Sequence, residues 1–256
     1  MSELLQSLGP LAGIAPLVVL PAIALFTRMS LLVFLLPGLG TRAIPVRVRL
    51  IAALAVTALL FPAVAPLVEE GPVLPLLAGE ALVGAFLGFG FRVLVFALSI
   101  AGTIVAQALS LSQIFGAGIS EDSSTTVSTL LTLAGAALFL TADLHIAAFG
   151  ILLDSYRTFP PGGYEGASGP IAQAALSACA DAFAFGLSLA LPLVLLNLAY
   201  NALLGVLNRA MPQLMVTFVG MPAITFGGIA LLTAAVGGML IVWMDRAQAL
   251  FGSVLP

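Results

Sequence analysis

The chain has 256 residues, 61% of them hydrophobic and 7% charged, with a mean hydropathy of +1.22, whereas soluble domains carry about 25% charged residues. Eight arginines, no lysine and eleven acids cannot solvate the outside of so apolar a chain, so most of its surface must face lipid or other subunits. The net charge of −3, with cations scattered singly along the sequence, sets nucleic acid aside as a partner, because phosphate binding needs clustered Lys and Arg.

A crossing helix needs about 20 residues, at 1.5 Å rise each, to pass about 30 Å of hydrocarbon. By that measure five or six apolar runs qualify: Leu11 to Leu36, Val48 to Val68, Leu74 to a break near Gly116, Val127 to Leu153, Leu176 to Leu207, and Val216 to Met244. Met1 to Gln6 lack the basic flank of a signal peptide and the first run is longer than a signal's apolar stretch, so it is expected to remain as the first membrane element. The connection after it opens with Pro37-Gly38-Leu39-Gly40 and carries Arg42, Arg47 and Arg49, while the second connection holds Glu69 and Glu70. The positive-inside rule then places the first connection in the cytoplasm and the N-terminus outside.

The third run is too long for one perpendicular crossing. It reads either as two crossings with a turn near Ser99 to Gly102 or as one long helix leaning through an assembly. Gly84 and Gly88 have the small-xxx-small spacing that lets two backbones approach, and Gly90 continues that face, which predicts tight helix packing with this chain or another. The loop from Ser112 to Ser124 mixes Ile114, Phe115 and Ile119 with Gly116, Gly118, Glu121 and Asp122. Such an apolar, flexible loop is tolerated at membrane depth where it is buried or lines a cavity, so it is a candidate constriction beside the simpler reading of a re-entrant turn.

The fourth run is followed by the turn segment Pro160 to Pro170. The lone Cys179, in the fifth run, is read as a small buried hydrophobe; with no second cysteine and no His beside it, it can form neither an intrachain disulfide nor a metal site. Helix breakers fall inside several runs: Pro16 and Pro21 in the first, Pro192 in the fifth, Pro222 with Gly220, Gly227 and Gly228 in the sixth. Because lipid offers no partner for freed backbone groups, these helices are expected to kink against other protein.

Catalytic chemistry is poorly supplied. His145, flanked by Asp143, is the only histidine, so no His-Glu-x-x-His zinc site exists, and the residue reads as polar at a helix end. Gly166-Ala167-Ser168-Gly169 matches the G-x-S-G string of rhomboid-type intramembrane proteases. That family's histidine follows its serine, whereas His145 precedes Ser168. Four charges inside apolar runs, Arg28, Glu80, Arg92 and Asp181, are each costly in hydrocarbon unless paired or wet. They read as helix-to-helix or subunit-to-subunit pairs, or, for a transporter, as substrate or proton sites.

Leu207-Asn208-Arg209-Ala210-Met211-Pro212-Gln213-Leu214 followed by Val219-Gly220-Met221-Pro222 resembles the signature of the flagellar biosynthesis R protein family (FliR), shared with its injectisome relatives. Arg28, Pro37, Ile44-Pro45-Val46-Arg47-Val48-Arg49, Leu138-Phe139-Leu140, His145, Ser155-Tyr156 and Pro160 match in family order, so the resemblance covers nearly the whole chain. It implies an all-α membrane protein of long kinked helices and helical hairpins, with a P-like part over residues 1–169 and a Q-like hairpin over 170–256. It further implies one copy wound with five P-type and four Q-type subunits, next to B-type and A-type export components, in a gate of the inner membrane at the flagellar basal body that conducts unfolded proteins. The family's pore plug corresponds to the loop at 110–124, with Gln113, Ile114, Phe115, Gly116, Ala117, Gly118 and Ile119 as plug candidates. Arg28, Pro45, Arg47, Gly84, Gly88, Arg209, Pro212 and Gln213 are the candidates for assembly contacts.

The plug region departs from the family: Gln107 is followed by Ala108-Leu109 where many members have Q-x-G, and Glu121-Asp122 by Ser123 where they have an acidic-Pro pair. A fused B-type specificity switch after Pro256 is not expected. The resemblance implies conduction and gating with no enzymatic step, no cofactor and no metal. A small secondary transporter is the alternative from another class; it predicts inverted repeats and a charged midplane site, and no such repeat is visible.

Overall fold

The structure is a computed structural model that describes residues 2–41, 44–69, 71–109, 124–162, 168–210 and 216–252. Among these residues the chain is helical and has no strand. The helices are α1 (Ser2–Leu35), α2 (Val46–Val64) running into a 3-10 turn (Ala65–Leu67), α3 (Val73–Ala108), α4 (Ser124–Thr141), α5 (Leu144–Thr158), α6 (Ser168–Ala210) and α7 (Val216–Gly252). Five of them are long and apolar enough to cross a membrane.

The long third run is one helix. Ser99 to Gly102 lie inside α3, whose 36 residues extend about 54 Å at 1.5 Å per residue, well beyond one hydrocarbon thickness. The fourth run is not one straight crossing as its hydropathy predicts. It breaks into α4 and α5 at a bend of 71°, with Asp143 in the left-handed region at φ 56°. Asp tolerates that conformation, and a single backbone reversal leaves no trace in an average over apolar residues. Helical structure continues through Pro16, Pro21, Pro192 and Pro222. Cys179, expected to be buried, is exposed on α6.

The helices group into two compact units that interleave along the sequence. The first comprises Met1–Arg92, Ala142–Ser177 and Phe251–Pro256; the second comprises Val93–Thr141 and Ala178–Leu250. In the first unit α1 packs on α2 and on the start of α3. A Cβ at Gly84 would meet the Arg28 carbonyl at 2.5 Å, and one at Gly88 would meet the Leu35 Cβ at 2.8 Å. Residue numbers rise together across this interface, so α1 and α3 run in the same direction, with α2 as the link between them. Gly90, although it continues the small-residue sequence, has nothing within reach of a Cβ.

In the second unit the later half of α3 is the central element. Gly102 lies against Ser128 of α4, Gly186 of α6 against Ala97 and Ile100, and Gly228 of α7 against Leu109. Trp243 is fully buried and its Nε1 donates to the Leu94 carbonyl at 2.8 Å, so the largest side chain of this core is anchored by its one polar atom. Ser99 and Ser128 share a hydrogen bond of 2.8 Å between α3 and α4. The outward faces of both units remain apolar, with Leu59, Leu74, Leu176 and Phe226 largely exposed on the chain's own surface. That suits lipid or neighbouring protein as solvent.

Candidate functional site: a buried ion pair across three helices

Arg28 and Glu80 are the two fully buried charged side chains among the described residues, and they pair with each other. Helical spacing explains how they meet. Glu80, Gly84 and Gly88 stand four residues apart on one face of α3, and the two glycines let that face press onto α1 at Arg28, Leu31 and Leu35. The glutamate one turn before Gly84 is thereby carried within reach of the arginine.

The pair is bidentate: Arg28 Nε donates to Glu80 Oε2 at 2.6 Å and Nη2 to Oε1 at 2.9 Å. A third helix completes the shell. Arg28 Nη1 donates to Ser155 Oγ at 3.0 Å and Nη2 to the Phe159 carbonyl at 3.0 Å, while the guanidinium carbon lies 3.8 Å from the centroid of the Tyr156 ring. The Tyr156 hydroxyl reaches back to Glu80 Oε2 at 3.4 Å, and Ser155 Oγ donates to the Leu152 carbonyl at 2.6 Å. α5 can present Ser155, Tyr156 and Phe159 here because these are its last residues and the one capping its end.

An ion pair withdrawn from water is tolerated where further hydrogen bonds use the remaining donors and acceptors. Here both carboxylate oxygens, all three guanidinium nitrogens and the face of the guanidinium are engaged. The arrangement clamps α1, α3 and α5 and leaves no open face for a substrate. Among the described residues no group of three or more His, Cys, Asp or Glu is placed to hold a metal ion.

This same stretch of chain matches a known family. The model of "Bacterial export proteins, family 1" matches residues 19–250. The chain belongs to this family. Relatives of this family-1 export protein include the "Flagellar biosynthetic protein FliR" of Caulobacter vibrioides, 34% identical over 242 residues that cover 90% of this chain and 93% of the relative. The protein of the same name from Escherichia coli is 32% identical over 81% of this chain and 80% of its own length. That from Aquifex aeolicus is 29% identical over 88% of this chain and 89% of the relative. The matched span contains every residue of the clamp.

Of the other residues singled out in this family-1 export protein, Gly84 and Gly88 lie against α1 of the same chain. Pro45 is the N-cap of α2 and Arg47 follows in its first turn, both exposed. Arg209 is exposed in the last turn of α6. Arg92 Nη1 lies 3.5 Å from the Gly40 carbonyl, and Asp181 is exposed on α6. His145 sits near the start of α5, its Nδ1 buried without a partner among the described residues. Gln113, Ile114, Phe115, Gly116, Ala117, Gly118, Ile119, Pro212 and Gln213 lie outside the described residues. Sequence reasoning read Arg28 and Glu80 as members of helix-to-helix or subunit-to-subunit pairs, which the structure bears out within one chain, but did not match the two to each other and missed their shell. The available signal was three hydrogen-bonding or aromatic groups, Ser155, Tyr156 and the end of α5, at the close of an otherwise apolar run.

Proposed function

We propose that this protein is the R-type core subunit of a flagellar type III protein-export gate in the bacterial inner membrane. The observation that carries this is the 34% identity to a flagellar biosynthetic relative over nine-tenths of both chains. Five helices of spanning length support a membrane position. In this reading residues 1–169 resemble a P-type subunit and 170–256 a Q-type hairpin, and a single copy is wound with five P-type and four Q-type partners into a helical, conical gate. B-type and A-type components dock on that core, and residues 113–119 close the conduit until an unfolded protein is exported. The exposed Arg209, followed by Pro212 and Gln213, meets neighbouring subunits. The Arg28–Glu80 clamp is structural: it fixes the mutual register of α1, α3 and α5 so that the outer faces are presented to partners in one geometry.

The test is complementation with a tagged copy in a flagellated bacterium lacking its own R-type gene. The expected result is that P- and Q-type subunits co-purify with the chain and that secretion of flagellar proteins and motility return. A chain that purifies alone, stable and without those subunits, while motility stays absent, overturns the proposal and favours a self-contained transporter.

A further inference from the structure

A cavity of about 440 Å³ opens at one end of the first unit, between the connection from α2 to α3 and the end of α5. Its walls are stiff although they are built from connections. Pro72, Pro75, Pro160 and Pro161 have φ fixed by their rings. The Leu76 N–H donates to the Pro72 carbonyl at 3.4 Å, and the Phe159 N–H to the Ser155 carbonyl at 2.8 Å. The wall at Pro160 is tied to the clamp as well, because the carbonyl of Phe159 just before it accepts from Arg28 Nη2 at 3.0 Å, while Leu76 stands one turn before Glu80 on α3. Gly71 and Gly162 border the cavity, and among the described residues a Cβ at either would meet nothing within 4 Å.

The chemistry of the lining is one-sided. None of its side chains carries a hydrogen-bond donor, Glu69 is the one charged residue among them, and the four prolines have no N–H. The 3-10 turn after α2 and α5 both end beside this cavity, whereas α3 begins there. Helix ends present unpaired carbonyls and helix starts unpaired N–H groups, but Pro75, the third residue of α3, supplies none. Glu69 is exposed and in no ion pair among the described residues. Arg157, near the end of α5, pairs with Asp154 at 3.8 Å and does not line the cavity. Carbonyls and a carboxylate therefore face the space without a cation, next to the apolar surfaces of the prolines, Leu67 and Leu76. A positive group on an aliphatic stem matches both parts.

We propose that this cavity receives a lysine or arginine side chain of a partner polypeptide, its cationic head at Glu69 and the backbone carbonyls and its stem along the proline rings. The inference goes beyond the export reading and does not rest on it. Walls that are fixed before binding lower the ordering cost of a small contact. An exposed ion pair adds a preference of up to about fivefold.

The experiment uses the full-length chain in neutral detergent at low ionic strength, titrated with fluorine-labelled peptides of the form Gly-X-Gly, blocked at both ends and followed by NMR line broadening. The expected result is that the peptide with arginine at X binds about fivefold more tightly than the one with uncharged citrulline, which has nearly the same shape. Glu69→Gln brings the two peptides to about parity, and Glu69→Asp keeps a reduced preference. Gly71→Leu, which has room for its Cβ, fills the cavity and abolishes binding of both. Asp181→Asn, which removes an exposed carboxylate of the other unit, changes nothing. Equal binding of the arginine and citrulline peptides by the unaltered chain overturns the proposal, as does a preference that survives Glu69→Gln or binding that survives Gly71→Leu. Tighter binding of the peptide with tryptophan at X also overturns it, since the prolines would then serve an aromatic ring. Should Gly71→Leu not fold, as judged by its melting in detergent, the peptide series on the unaltered chain and the two Glu69 variants still decide.

Discussion

In the first unit the helices meet around a sealed charge pair, with Arg28 of α1 gripping Glu80 of α3 and the end of α5 closing over both. In the second, α4, α6 and α7 meet α3 through glycine notches at Gly102, Gly186 and Gly228 and through Trp243, with one shared serine hydrogen bond. Within lipid, burying apolar side chains against one another gains little over burying them in acyl chains, so helix association rests on close packing and on polar contacts. The two units use these resources in opposite proportion. A notch permits close approach but accepts small rotations, whereas a bidentate pair fixes angle and register together.

The comparison breaks most clearly at the clamp. Glu80→Ala leaves Arg28 buried without its counter-charge, and removal of one member of a buried pair costs about 3–5 kcal/mol. Arg28→Met/Glu80→Leu, which removes both charges and keeps the volume, is expected to recover most of that loss. Reversible unfolding in mixed detergent micelles measures both. Equal losses in the single and double variants would show that shape, not charge, holds the first unit.

A smaller effect separates notch from clamp at the glycines. Gly84→Ala pushes a methyl into the Arg28 backbone, where neither atom has a flexible end that can yield, and is expected to destabilise by about 1–3 kcal/mol. Gly90→Ala meets nothing and should be neutral or stabilise by up to about 1 kcal/mol through helix propensity. The same unfolding assay compares them, and similar values for the two would remove the close approach of α1 and α3 as a cause. The smallest change is expected at Ser99→Ala, which deletes the serine hydrogen bond of the second unit at about 0.6 kcal/mol, the average found for such contacts between membrane helices. A loss as large as that at Glu80 would mean that the second unit is also held chiefly by polar contacts.

Much of this architecture was legible in the residues. Long apolar runs located the helices, and the spacing of Gly84 and Gly88 announced a close approach whose partner proved to be α1. The cost of a charge in hydrocarbon drew attention to Arg28 and Glu80. Which charge pairs with which was not legible, because nothing in the sequence states that Arg28 of α1 and Glu80 of α3 stand at one level. The bend at Asp143 was hidden for a related reason: hydropathy sums over side chains, and a single left-handed residue is a backbone property. Cys179 was misplaced because an apolar helix facing lipid or another subunit keeps small hydrophobes on its outside as readily as within.

The spacing of the clamp along the chain has a consequence for biogenesis. Arg28 is separated from Glu80 by 52 residues and from Ser155 by 127. At a synthesis rate of about 5–20 residues per second, the arginine emerges about 3–10 s before its carboxylate and longer still before its hydroxyl partner. During that interval α1 carries an uncompensated cation in its apolar stretch, a poor state for an isolated segment in hydrocarbon. The arrival of α3 therefore does more than add a helix: it is the event that lets the first one settle.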